Sequence, residues 1–290
     1  MAGLDWNSWR NLVPVERVRE PAPVVGVLRL DGVIGRGPRF GPSLSLQGLA
    51  AQIQRVFSLR HLKAVALVVN SPGGSPVQSA LIAGRIRALA VEKEIPVYAF
   101  TEDVAASGGY MLLAAGDTLY ADPSSIVGSI GVISSGFGFV DMIEKLGIER
   151  RLHTAGDKKS LLDPFLPEKD DERERLTALQ QELHENFKNY VRERRQGKLE
   201  GGEDNLFTGE FWTGTRALEL GLIDGLGDIR SVLREKYGKR VKLKLIGHDR
   251  RWFRIPFRPA FSTSPGGDGT WADELIDAAE RRTLWARFGL

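Results

Sequence analysis

Ala105-Ala106-Ser107-Gly108-Gly109-Tyr110 joins a short apolar run, Pro96 to Phe100, to a helix-compatible run, Met111 to Ala115. A serine at such a strand-to-helix turn carries its hydroxyl at the tip, beside backbone N–H groups that the first helical turn leaves unpaired. Those donors could hold an oxyanion. The same serine could equally be a helix N-cap, with Gly108-Gly109 merely permitting the turn. The turn alone leaves both readings open.

The unit around it repeats. Val24 to Leu30 and Ala64 to Val69 are short apolar, β-branched runs that read as buried strands. Leu46 to Arg60 has apolar residues at helical spacing, and a second helical pattern runs from Val77 to about Ala90. Further strands are expected at Thr118 to Ala121, Ser129 to Ser134, Ile148 to Thr154 and Val241 to Ile246. Helices are expected at Val140 to Leu146, Pro167 to Arg195, Thr213 to Leu220 and Asp228 to Tyr237, with a last one at Trp271 to Phe288. Repeated strand-turn-helix units predict an α/β layered fold with largely parallel strands, whose ligands gather at the carboxyl ends of the strands. The charges of the long helix, Pro167 to Arg195, read as a solvated face.

The strand at Ala64 to Val69 ends in a second glycine turn, Asn70-Ser71-Pro72-Gly73-Gly74-Ser75. Adjacent glycines let the backbone approach a ligand and turn its N–H groups outward. A phosphate-binding turn, an oxyanion hole and a plain tight turn all fit. The nucleotide readings are weak, because neither G-x-x-x-x-G-K-[ST] nor G-x-G-x-x-G is present.

Composition narrows the chemistry. A chain of 290 residues with 42% hydrophobic residues can bury a sizeable core. It has no cysteine, which excludes disulfides, thiolate metal sites and a cysteine nucleophile. Only four histidines are present, His61, His153, His184 and His248, with no HExxH pair, so no metal or other cofactor is expected. The formal net charge of +3 is spread along the chain, which speaks against nucleic acid as a partner. Met1 to Glu20 has several charges and no long apolar run, so neither a secretory signal nor a membrane span is expected and the cytoplasm is the default compartment. Trp6, Trp9, Leu12 and Val13 could still touch a membrane surface. The tail changes character at Arg250: Arg251-Trp252-Phe253-Arg254-Ile255-Pro256-Phe257-Arg258 interleaves basic and aromatic residues, as if to dock on its own domain, a neighbouring subunit or a membrane surface. The expected divisions are an N-terminal segment 1–20, a main domain 21–249 and a tail 250–290.

A serine nucleophile needs a base. His153 has no evident orienting carboxylate. A lysine serves when burial or a neighbouring cation favours its neutral form, which makes Lys158 and Lys159 candidates. Their spacing alone does not distinguish them from ordinary solvated lysines.

Four motifs in order give the chain a resemblance to the bacterial signal peptide peptidase A family. They are Val69-Asn70-Ser71-Pro72-Gly73-Gly74-Ser75, Ala105 to Tyr110, Gly128-Ser129-Ile130-Gly131-Val132-Ile133, and Lys159-Ser160-Leu161-Leu162-Asp163-Pro164-Phe165. Ala217-Leu218 and Gly221-Leu222-Ile223-Asp224 extend the likeness, which covers roughly Val24 to Ile246. Val127 stands where relatives often carry threonine, and the N-terminal membrane anchor of many relatives is not visible. The resemblance implies a ClpP/crotonase-like layered fold and a serine endopeptidase with Ser107 as nucleophile and Lys159, not Lys158, as general base. It further implies that Gly74 and Gly108 supply oxyanion N–H groups and that Ser129 orients the lysine amine. A peptide substrate would lie extended along Gly131-Val132-Ile133 and Ser71-Pro72-Gly73. The expected substrates are hydrophobic or unfolded peptides, such as signal peptide remnants. Self-assembly into a ring- or dome-like tetramer or octamer is also implied. Two rival readings are an acyl-CoA enzyme on the related crotonase fold and a non-catalytic scaffold that tethers partners through its tail.

Overall fold

A computed structural model describes residues 21–35, 44–156, 158–247 and 282–290. The N-terminal segment with Trp6 and Trp9 and the basic-aromatic run of the tail lie outside the described residues. In chain order the elements are β1 (Val24–Asp31), α1 (Leu46–Val56), β2 (Leu62–Ser71), α2 (Pro76–Glu92), β3 (Val97–Ala106) and α3 (Gly108–Leu113). There follow β4 (Thr118–Ala121), β5 (Ile126–Gly128), α4 (Val140–Lys145), α5 (Asp170–Arg194), α6 (Glu203–Leu206) and β6 (Phe211–Thr213). The last are α7 (Gly214–Glu219), β7 (Gly225–Leu226), α8 (Ile229–Tyr237) and β8 (Lys242–Ile246).

The strands form one sheet in the order β6-β5-β3-β2-β1-β8, with β4 beside β3 and β7 beside β4. Every pairing is parallel except β5 with β6. Parallel strands buried on both faces read as continuous apolar runs, and β2 shows why. Val65, Leu67 and Val69 enter the core beneath α1, α2 and α3, while Ala64, Ala66 and Val68 enter a second core beneath α8. Strand β3 changes partners along its length. Tyr98 to Phe100 pair with β4, and Val104 to Ala106 pair with β5. The strand therefore continues past the expected end at Phe100 and runs directly into Ser107.

Local chemistry starts the helices. Ser45 and Ser75 cap α1 and α2 by accepting from Gly48 and Gln78 N–H, and Pro76 opens α2. Asp228 accepts from the N–H groups of Arg230 and Ser231 at the start of α8. Helix α5 has Asp170, Asp171 and Glu172 in its first turn and Arg192 and Arg194 in its last, matching the helix dipole.

Two expected strands are absent. Sheet pairing stops at Gly128, so Ser129 to Ser134 is not a strand, and Ile148 to Thr154 has no regular structure. Gly128 and Ser129 both have positive φ, 119° and 53°, which turns the chain out of the sheet before the apolar run begins. At the other end of the chain, residues 282–286 are helical, and Trp285 and Phe288 pack on Val104, Ala106 and Ile126. The final segment thus supports the strand ends that lead to Ser107 and Ser129.

A buried ionic junction ties the end of α5 to the sheet. Arg195, 2% exposed, donates to the Gly221 carbonyl through Nε and Nη2 and to Asp224 at 2.9 Å. Asp224 also accepts from Lys198 Nζ and from the Leu119 N–H. Burial raises the Asp224 pKa, but these hydrogen bonds outweigh it and hold the carboxyl below its ordinary value. A depressed folded pKa contributes stability above the unfolded value, and that contribution is lost as pH falls through the folded one. Asp224→Asn, which leaves the buried guanidinium without its counter-charge, should cost about 3–5 kcal/mol at neutral pH. In urea unfolding, the gap between wild type and variant should narrow as pH drops below about 4.

Candidate active site

Both glycine turns lie at the carboxyl ends of adjacent parallel strands, β2 and β3, and they touch. Ser107 has φ 53° and ψ −122°, a conformation that side-chain-bearing residues rarely adopt. Its N–H donates to the Gly128 carbonyl at 2.8 Å, and its own carbonyl accepts from Met111 N–H to open α3. Its hydroxyl makes no capping bond. The N-cap reading therefore fails, and Oγ, half-buried, makes no hydrogen bond among the described residues.

The glycines are required by space. A Cβ on Gly73 (φ 103°) would stand 2.8 Å from the Ser107 Cβ and 2.9 Å from the Ala106 carbonyl oxygen. One on Gly74 would run into the Ile34 carbonyl, one on Gly108 into Ser79 Oγ, and one on Gly109 into the Ser71 carbonyl. The Ser71 hydroxyl accepts from Gly73 N–H, and the Gly73 carbonyl accepts from Ile34 N–H. The N–H groups of Gly74 and Gly108 make no hydrogen bond among the described residues.

Ser107, Gly74 and Gly108 line one slot of about 200 Å³. Pro76, Val77 and Ala80 of α2 form one side, Met111 the floor, and Gly131 and Val132 an edge. Leu183, Asn186, Phe187 and Tyr190 of α5 close it. The slot is mainly apolar and fits a small or medium aliphatic side chain. Cavities of about 600 and 630 Å³ lie elsewhere, but they do not include the serine turn.

Of the residues singled out in the sequence, Ser107, Gly74, Gly108, Gly131 and Val132 meet at the slot. Ser71, Pro72 and Gly73 are buried behind it, and Ile133 is 66% exposed beyond its edge. Val132 and Ile133 make no backbone hydrogen bond among the described residues, so this edge is open to pairing. Ser129 is 8% exposed, with its N–H donating to the Glu210 carbonyl. Lys158 and Lys159 lie on an exposed turn; neither lines the slot, and neither forms a side-chain bond to Ser107 or Ser129. The sequence reading missed the contribution of α5. Leu183, Phe187 and Tyr190 fall at helical spacing in the sequence, but nothing local shows that they wall the slot.

The family described as Peptidase family S49 matches residues 90–243. A Brucella abortus (strain 2308) protein named Na(+)/H(+) antiporter NhaA is 50% identical over 292 residues, 97% of this chain and 39% of its own length. An Enterococcus faecium protein named for signal peptide peptidase SppA is 31% identical over 181 residues, 62% of this chain and 52% of its own. The chloroplastic serine protease SPPA of Arabidopsis thaliana is 31% identical over 210 residues, 71% of this chain and 31% of its own. The chain thus spans between 31% and 52% of these relatives' lengths. Among the described residues no helix is long and apolar enough to cross a membrane.

Gly73→Ala, by pressing a methyl group on Ser107, should slow labelling of the serine by a fluorophosphonate roughly 100-fold. The measurement is the labelling rate followed by mass spectrometry, with the fold checked by circular dichroism.

Proposed function

Because the chain belongs to peptidase family S49, whose fold is ClpP/crotonase-like, we propose that it is a serine endopeptidase with Ser107 as nucleophile. The observation that carries this reading is the uncommitted Ser107 hydroxyl, held at a left-handed turn in a slot with two glycine N–H groups that are unpaired among the described residues. Oγ attacks the scissile carbonyl while its proton passes to the neutral amine of Lys159. The carbonyl oxygen gains the negative charge and is held by the N–H groups of Gly74 and Gly108. The C–N bond then breaks, the leaving amine takes the proton back, and an acyl-enzyme remains. Water, deprotonated by the same lysine, releases the acid and restores Ser107.

The substrate is an extended hydrophobic or unfolded peptide, of which signal peptide remnants are one source. Its backbone pairs with Gly131-Val132-Ile133, with an apolar side chain in the slot. Ser129 holds the lysine amine once it arrives.

Lys159 arrives from a neighbouring copy in a homo-oligomer. Supporting this are its exposure outside the slot and the exposed apolar residues Ile133, Phe137, Met142, Leu146 and Ile148 on the segment that leads to it. Hydrolysis of a quenched fluorescent hydrophobic peptide tests both ideas. Ser107→Ala and Lys159→Ala should each lose on the order of 10,000-fold in kcat, and Lys158→Ala should keep its rate. Equal rates in all variants would overturn the dyad. Co-refolding the two inactive variants should restore part of the activity, since one mixed site carries both intact residues; no recovery would place Lys159 in the same copy as its serine.

A further inference from the structure

Helix α5 does more than close the slot. His184 Nε2 lies 3.0 Å from the Ile130 carbonyl oxygen, and the Tyr190 hydroxyl donates to the Met111 carbonyl at 3.2 Å. Met111 belongs to α3, the helix that starts at the serine, whereas Ile130 begins the open edge. Six residues separate the two side chains, about 9 Å along the axis. One rigid helix is therefore fastened both to the floor of the slot and to the start of its open edge.

The Ile130 edge needs such a fastening. Strand β5 ends at Gly128, and two successive left-handed residues carry the chain out of the sheet. The Ser129 N–H to Glu210 bond is its last main-chain tie to a neighbouring strand region, and Gly131 N–H turns back only to Ser129. The Ile130 side chain is fully buried in the main core and Gly131 lies against Gly209, which fixes the start of the segment. Among the described residues the His184 contact is the one side-chain hydrogen bond to its main chain, and it is made to the carbonyl just before the open edge. The imidazole donates from Nε2 both as that neutral tautomer and as the imidazolium.

We infer that His184 is a positioning residue that fixes the Gly131–Ile133 edge relative to Ser107 and so governs binding of extended peptides. This rests on the peptidase reading above. The imidazole acts through the Ile130 carbonyl and does not touch the substrate. A ligand that fills only the slot is held by Met111, Val77, Phe187 and their neighbours; one that runs along the edge also uses the backbone of Val132 and Ile133.

The test compares a minimal ester substrate that reaches only the slot with a peptide of about eight residues that covers the edge. His184→Ala should raise KM for the long peptide about tenfold, the loss expected when one anchoring hydrogen bond goes, with kcat nearly unchanged. The minimal ester should be turned over as by wild type. His184→Gln, whose amide nitrogen reaches the Nε2 position, should recover most of the KM, and His184→Asn, one methylene shorter, should not. If the alanine variant does not fold, the Gln and Asn pair carries the comparison. Equal losses on both substrates, an unchanged KM for the long peptide, or a Gln variant no better than Asn would overturn the inference. Wild-type protein that cleaves neither substrate would instead overturn the peptidase reading.

Discussion

The left-handed backbone at Ser107 is the constraint from which the rest of the site follows. Holding a side-chain-bearing residue there costs on the order of 1–3 kcal/mol. The strain persists because stronger interactions fix everything around it. All six residues of α3 are buried, and Leu112 and Leu113 alone contribute about 1.5–3 kcal/mol each by leaving water. The Tyr110 hydroxyl, deep in the core, donates to the Leu222 carbonyl, and burial pushes its pKa far up, so it stays a neutral donor. Before the turn, Ala105 is paired with both β2 and β5, and Ala106 with β5. Ser107 has no freedom to relax, and its hydroxyl is presented where a capping serine would have turned it inward.

That presentation depends equally on what is missing. Gly73, Gly74, Gly108 and Gly109 bring two turns and one helix within contact of each other, and at each of them a methyl group would strike backbone or a buried hydroxyl. The absent side chains also expose the N–H groups that could stabilise developing negative charge. Close packing and electrostatic preparation thus come from the same residues.

Helix α5 shows how a mostly solvated element can still shape a site. Phe187 and Val191 are its only deeply buried residues, and its surface carries ion pairs such as Arg192 with Glu185 and Glu203 that contribute little to stability. Its placement comes instead from the Arg195–Asp224 junction at its end and from side-chain bonds to main-chain carbonyls made by His184, Tyr190 and Arg194. The Gly221–Asp224 stretch, recognisable in sequence as a motif, serves as this anchor.

Much was legible in the sequence because it is written in local chemistry. Apolar runs of strand length, apolar residues at helical spacing between them, and paired glycines after two strands sufficed for a parallel α/β fold with its turns at one end of the sheet. Four ordered motifs pointed to the family. Only the tertiary structure decided the rest. Whether Ser107 caps a helix or offers a free hydroxyl depends on a bond to Gly128, twenty-one residues away. Ser129 to Ser134 has the composition of a strand, yet two left-handed residues send it to meet His184, fifty-four positions on. Lys159 stands next to a recognisable motif, but its exposure outside the slot is a property of how the chain is arranged in space. Local preference sets which elements form; contacts between residues far apart in sequence set which of their atoms remain free to act.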